Sequence, residues 1–95
     1  MDTMNENRIR HLPEENRFEM AFDDGLVWAD YAQSGDTLAI LHVEAAQSLR
    51  GTGAAGTFME ALANSARDQG VKLRPVCGYA VAWLKRHRDH HDVLA

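Results

Sequence analysis

The chain is 95 residues long, 45% apolar and 25% charged, with a net charge of −4. That fits one small globular domain and excludes a mostly disordered chain, while an acidic first half (three Arg against ten Asp and Glu in residues 1–45) argues against a nucleic-acid platform. No apolar run approaches the roughly 20 residues of a membrane span, and the polar N-terminus lacks the apolar core of a signal peptide, so a cytoplasmic setting is expected.

Residues 1–16 read as a polar lead-in broken by Pro13, where fraying is expected. The domain proper is expected over residues 17–95. In Arg17–Phe22, Phe18, Met20 and Phe22 alternate with polar or small residues, which predicts a half-buried strand. Asp23-Asp24-Gly25 is turn chemistry. Leu26–Gln33 is a second strand, with Val27, Trp28 and Tyr31 to pack. Ser34-Gly35-Asp36 turns the chain into a third strand, Thr37–Glu44. Together these make an antiparallel meander. Ala55–Gln69 then has helical spacing, with Phe58, Leu62 and Ala66 on one face, and Gly70 stops it. Val71–Cys77 is a short strand, and Tyr79–Leu94 reads as a last helix with Val81 and Leu84 on one face beside Trp83. A meander followed by α-β-α predicts an α/β (α+β) fold, a mixed sheet with helices packed on it.

The informative motif is Arg50-Gly51-Thr52-Gly53-Ala54-Ala55-Gly56, placed after a strand and opening a helix. Glycines let backbone N–H groups approach a ligand there, and a helix N-terminus favours an anion, so the motif points to phosphate. The Gly51-x-Gly53-x-x-Gly56 spacing matches the dinucleotide fingerprint formally. Where that fingerprint wants an acid at the end of the next strand, this chain has Arg74-Pro75-Val76-Cys77. A P-loop is excluded because no Gly-Lys-Ser/Thr follows.

Arg50-x-x-Gly53-x-Ala55 resembles the R/Q-x-x-G-x-G/A motif of the GNAT N-acetyltransferase superfamily. His42-Val43-Glu44 before it and Pro75-Val76-Cys77-Gly78-Tyr79 after it extend the similarity to short-form GNAT-like proteins, over about residues 17–94. The resemblance implies a GNAT-like mixed sheet and acetyl-CoA as co-substrate. Its pyrophosphate would lie on Arg50, Gly51, Thr52, Gly53, Ala54 and Ala55, with Val43 in the strand that supplies backbone donors. It also implies transfer of the acetyl group to an amine, on a small molecule or a protein, by a monomeric chain. The rival reading is a CoA-binding or acyl-CoA-sensing module without turnover.

Direct attack by an amine needs a base, an acid for the leaving thiolate and donors for the thioester oxygen. His42 and Glu44 lie two apart on one strand face, so either can serve as base. Cys77 ends the next strand, where it can act as acid or as nucleophile, and Tyr79 is the alternative acid. A free cysteine is also a common buried hydrophobe. The tail His87, His90 and His91, with Asp89 and Asp92, invites a metal reading, and His87 and His91, four apart on the expected helix, could chelate, but there is no third ligand at a diagnostic spacing. Surface histidines favoured by the helix C-terminus account for them better, and no metal site is expected.

Overall fold

The computed structural model describes residues 9–95. Its elements are strands β1 (Arg10–Leu12), β2 (Arg17–Phe22), β3 (Gly25–Ser34) and β4 (Thr37–Ala45), helix α1 (Ala54–Gln69), strand β5 (Lys72–Pro75) and helix α2 (Gly78–Arg86). Five strands form one sheet in sequence order. The first four run antiparallel, and β5 lies parallel to β4 after the α1 crossover. The expected meander followed by α-β-α is therefore present as a mixed sheet.

Alternation in the strands sorts the sheet into two faces. Phe18, Met20, Val27, Ala29, Tyr31, Leu38, Ile40 and Leu73 point inward and are buried. Phe58, Met59 and Leu62 of α1 and Ala80, Trp83 and Leu84 of α2 join them in one core. Both helices thus cover the inner face. On the outer face Arg17 bonds Asp30 at 3.0 Å and stacks over Trp28, and Ala21, Leu26 and Ala32 are exposed.

Three differences from the sequence expectation have physical causes. A strand, β1, forms inside the stretch read as lead-in; the part of that reading in residues 1–8 lies outside the described residues. Three residues are too few to show a period. β1 is held instead by its pairing with β2 and by His11, whose ring stacks on Phe18 at 4.3 Å and whose Nε2 lies 2.6 Å from the Tyr31 hydroxyl.

The last helix is shorter than the expected Tyr79–Leu94. It stops at Arg86, and a 3-10 segment follows over Arg88–Val93. No glycine or proline marks that stop. It is set by His87, whose backbone leaves the helical region and whose Nδ1–H donates to the Trp83 carbonyl at 2.7 Å. The buried face of α2 is Ala80, Trp83 and Leu84, while Val81 is exposed. Finally, β5 ends at Pro75, two residues before the expected end at Cys77.

Candidate functional site

The site grows from a fork in the sheet. β4 and β5 pair only from Thr37 with Lys72 to Ile40 with Pro75. Beyond that point the amides of Val76 and Cys77 both donate to the Ile40 carbonyl, at 2.9 and 3.1 Å, and the two chains separate. On the other side of β4, Ile40 pairs Tyr31 while His42 pairs Asp30, so Leu41 is an inserted bulge residue. The Ile40 carbonyl faces β5. The extra residue resets the alternation, so Val43 is the next residue whose peptide groups face the gap.

Cys77 stands at the fork, half-buried. Its Sγ caps α2 by accepting from the Ala80 amide at 3.4 Å. Tyr79, in the first turn of α2, is 39% exposed. Partial burial holds its phenol above the ordinary range, so it stays protonated near neutral pH and keeps a proton to donate.

Beside the fork lies the glycine loop. A 3-10 turn over Gln47–Leu49 leads into it, and Gly51 and Gly53 take φ values of 81° and 87°, the left-handed region that favours glycine. A Cβ on Gly53 meets nothing within 4 Å, so conformation and access, rather than packing, explain the glycine. Gly53 is the N-cap of α1 and supplies no side-chain cap. Thr52 braces the turn, donating to the Leu49 carbonyl and accepting from the Ala54 amide at 3.2 Å. Among the described residues the amides of Gly51, Gly53, Ala55 and Gly56 have no hydrogen-bond partner. Free amides at a helix N-terminus make an anion cradle.

From this loop a groove of about 460 Å³ runs between α1 and α2, past Gly56, Thr57, Glu60, Trp83 and His87. The Trp83 and His87 rings stack along it at 3.8 Å. A second hollow, about 310 Å³, lies between the loop and the turn at Asp23 and Asp24.

His42 and Glu44 sit on the outer face, in register with Asp30 and Trp28 of β3. The predicted shared face is realised as a hydrogen bond, His42 Nε2 to Glu44 Oε1 at 2.8 Å. A carboxylate only accepts, so Nε2 carries a proton, and in the neutral imidazole the lone pair is on Nδ1. Arg50 reaches back from the loop to donate to Glu44 Oε2 at 3.0 Å. His42, Glu44 and Arg50 therefore form one chain of contacts, which no hydrogen bond among the described residues extends to Cys77 or Tyr79.

The tail histidines need one correction. His90 is no surface residue: it is only 3% exposed. Its Nδ1 accepts from Arg67 at 3.1 Å and its Nε2 donates to Glu60 at 2.9 Å. Glu60, Asp89 and His90 do cluster within 4.8 Å. However, Arg67 can only donate, which commits the Nδ1 lone pair and leaves Nε2 protonated, the wrong tautomer for a metal. His87 and His91 donate to the carbonyls of Trp83 and Leu84. They terminate α2 instead of pairing on one helical face.

Two features of the site escaped sequence reasoning. The Arg50–Glu44 contact depends on how the loop folds back, for which six residues of separation give no signal. The aromatic wall of the groove leaves no sequence signal, because Trp83 has the spacing of a core residue and His87 lies in a polar tail.

The sequence model of the GCN5-related N-acetyl-transferase family matches residues 17–93. Among solved structures, the chain resembles the solution structure of a GCN5-like candidate N-acetyltransferase from Staphylococcus aureus. The TM-score is 0.71 at 22% identity, over 95% of this chain and 89% of the other, which is a likeness of fold. None of the curated proteins compared matches the chain. No described helix is long and apolar enough to cross a membrane.

Proposed function

As the chain belongs to the GCN5-related N-acetyl-transferase family, we propose that it binds acetyl-CoA at the glycine loop and transfers the acetyl group to an amine. The observation that carries this reading is the junction of two features: unpartnered loop amides opening α1, and a sheet that forks beside them. The unpartnered amides of Gly51, Gly53, Ala55 and Gly56 face the pyrophosphate, with Arg50, Thr52 and Ala54 beside them. The thioester enters the fork, where the Val43 peptide group polarises its carbonyl.

The amine arrives from the outer face, which no described helix covers. His42 Nδ1 takes a proton from the ammonium while Glu44 holds the imidazole by Nε2. The freed nitrogen attacks the thioester carbon, a C–N bond forms and the C–S bond breaks. Cys77 protonates the leaving thiolate, with Tyr79 as the second donor near the fork. The nitrogen loses its remaining extra proton to water, His42 then gives its proton to water and Cys77 is reprotonated from water, so both groups are restored and one proton is released per turnover. Acceptors of this kind are small-molecule or protein amines.

Calorimetric titration with CoA tests the cofactor site. The parent protein should bind, and Gly53→Val should abolish binding while the melting transition remains, because a β-branched residue at φ 87° disturbs the cradle and fills its open side. No heat with the parent overturns the reading. Binding without release of free thiol in the presence of an amine panel would leave a CoA-binding module without turnover.

A further inference from the structure

Glu44 is shared between two groups that belong to different halves of the reaction. One carboxylate oxygen takes Arg50, from the cofactor loop, and the other takes His42, from the acceptor face. Resting on the acetyl-CoA reading above, we propose that Glu44 parks Arg50 in the empty protein and surrenders it to the phosphates when CoA binds. Cofactor binding thereby returns the full carboxylate charge to His42. Arg50 is on this view a positioning residue for the base as well as a phosphate ligand.

Three observations support the exchange. First, the Arg50 and Glu44 side chains are 63% and 33% exposed, and exposed pairs of this kind contribute only about 0–1 kcal/mol. A pair that weak is easily broken by a diphosphate, whose charge-assisted, bidentate contacts to a guanidinium are stronger. Second, Arg50 directly precedes Gly51, so its side chain starts at the rim of the amide cradle, and turning it from Glu44 to an anion needs no movement of α1. Third, the chain offers Glu44 no other cation: within the described residues its ion-pair partners are Arg50 and His42 alone. Losing Arg50 therefore concentrates the carboxylate on the imidazole.

The same logic runs backwards. Whatever strengthens the Glu44–Arg50 pair must weaken CoA in turn, by at most the same factor, because coupling free energies are reciprocal. Glu44 is thus a brake on cofactor affinity and a support for the base, and the two roles have opposite signs under mutation.

The test is a double-mutant cycle on CoA affinity, read by calorimetry with free CoA as the probe. Glu44→Gln should bind CoA about two- to fivefold more tightly, the scale of a surface ion pair, although it loses acetyl transfer. Arg50→Ala should bind more weakly than the parent. Adding Glu44→Gln to Arg50→Ala should bring no gain. A second readout follows His42 directly: its ring 15N resonances should move when CoA is added to the parent, and stay in place when CoA saturates Arg50→Ala. Unchanged or weaker binding in Glu44→Gln overturns the proposal, and so does an equal gain in the Arg50→Ala background, which would reflect simple removal of negative charge. Absence of CoA binding to the parent is a different result and overturns the cofactor reading itself.

Discussion

The two halves of β4 face different surroundings. Thr37–Ile40 is flanked by β3 on one side and β5 on the other, and Leu38, Ala39 and Ile40 are buried. Leu41–Ala45 keeps β3 alone, and here Leu41 and His42 are exposed while Val43, Glu44 and Ala45 are half-buried. A single inserted residue, Leu41, marks the change. The first half satisfies its backbone and fills the core. The second leaves peptide groups and two titratable side chains open. A strand can therefore stabilise the fold along one stretch and offer chemistry along the next, and substitutions in the two halves should fail in different ways.

The largest effect is expected in the packed half. Ile40 is fully buried against the inner layer. Ile40→Ala should cost about 2–5 kcal/mol through lost burial and the cavity left behind. Denaturant unfolding would show this as a lower midpoint with little change in slope. Turnover per folded molecule should fall much less than stability. A stability loss below about 1 kcal/mol would show that the core does not depend on this half.

Across the bulge the pattern should invert. His42→Ala removes a side chain that is 56% exposed, so the melting transition should stay close to the parent's. Acetyl transfer should nevertheless drop on the order of 10²-fold, as for loss of a general base. CoA affinity should hold. Near-normal turnover would dispose of His42 as the base.

Cys77 belongs to both regimes, which calls for two variants. Its Sγ caps α2, so Cys77→Ala is expected to lose some stability along with any chemistry. Serine restores an N-cap acceptor and removes the thiol. Cys77→Ser should therefore recover the stability lost in Cys77→Ala while turnover remains about tenfold or more below the parent. Mass spectrometry after mixing the parent with acetyl-CoA and no amine should show no adduct if Cys77 is an acid. An acetyl group on Cys77 would make it the nucleophile.

Much of this was legible in the sequence because periodic burial writes itself into residue order. The three meander strands, the inward row of α1 and the order of elements follow from alternation and helical spacing. The loop was legible because glycine at left-handed φ is a backbone requirement that the residue type discloses. His42 and Glu44 could be put on one face because strand period is two. Other features left no mark. β1 is too short to show a period. The end of α2 is made by a histidine hydrogen bond instead of a glycine or proline. The burial of His90 depends on Arg67 and Glu60, each more than twenty residues away. The Arg50–Glu44 contact is likewise a product of loop geometry.

The smallest effect should appear away from the fork and the loop, where the C-terminal segment is clamped to the end of α1 beside the start of β5. Arg67 donates to both carboxylate oxygens of Asp92, at 2.7 and 2.8 Å, and also to His90. The hydrogen-bonded guanidinium pulls the Asp92 carboxyl down from 3.8 to about 2. A carboxyl held lower in the folded state than in the unfolded one stabilises the fold above its unfolded value. That contribution is lost as pH falls from about 4 to about 2. Asp92→Asn should accordingly melt somewhat below the parent at neutral pH, and the two melting curves should converge across that acid interval. Because the clamp touches neither the fork nor the loop, acetyl transfer at neutral pH and a temperature well below melting should be unchanged. A gap in melting temperature that persists at pH 2 would mean that Asp92 acts through packing instead of charge. Loss of turnover in the folded variant would show that the two ends of α1 are coupled, and that the separation seen along β4 does not extend to the helix beside it.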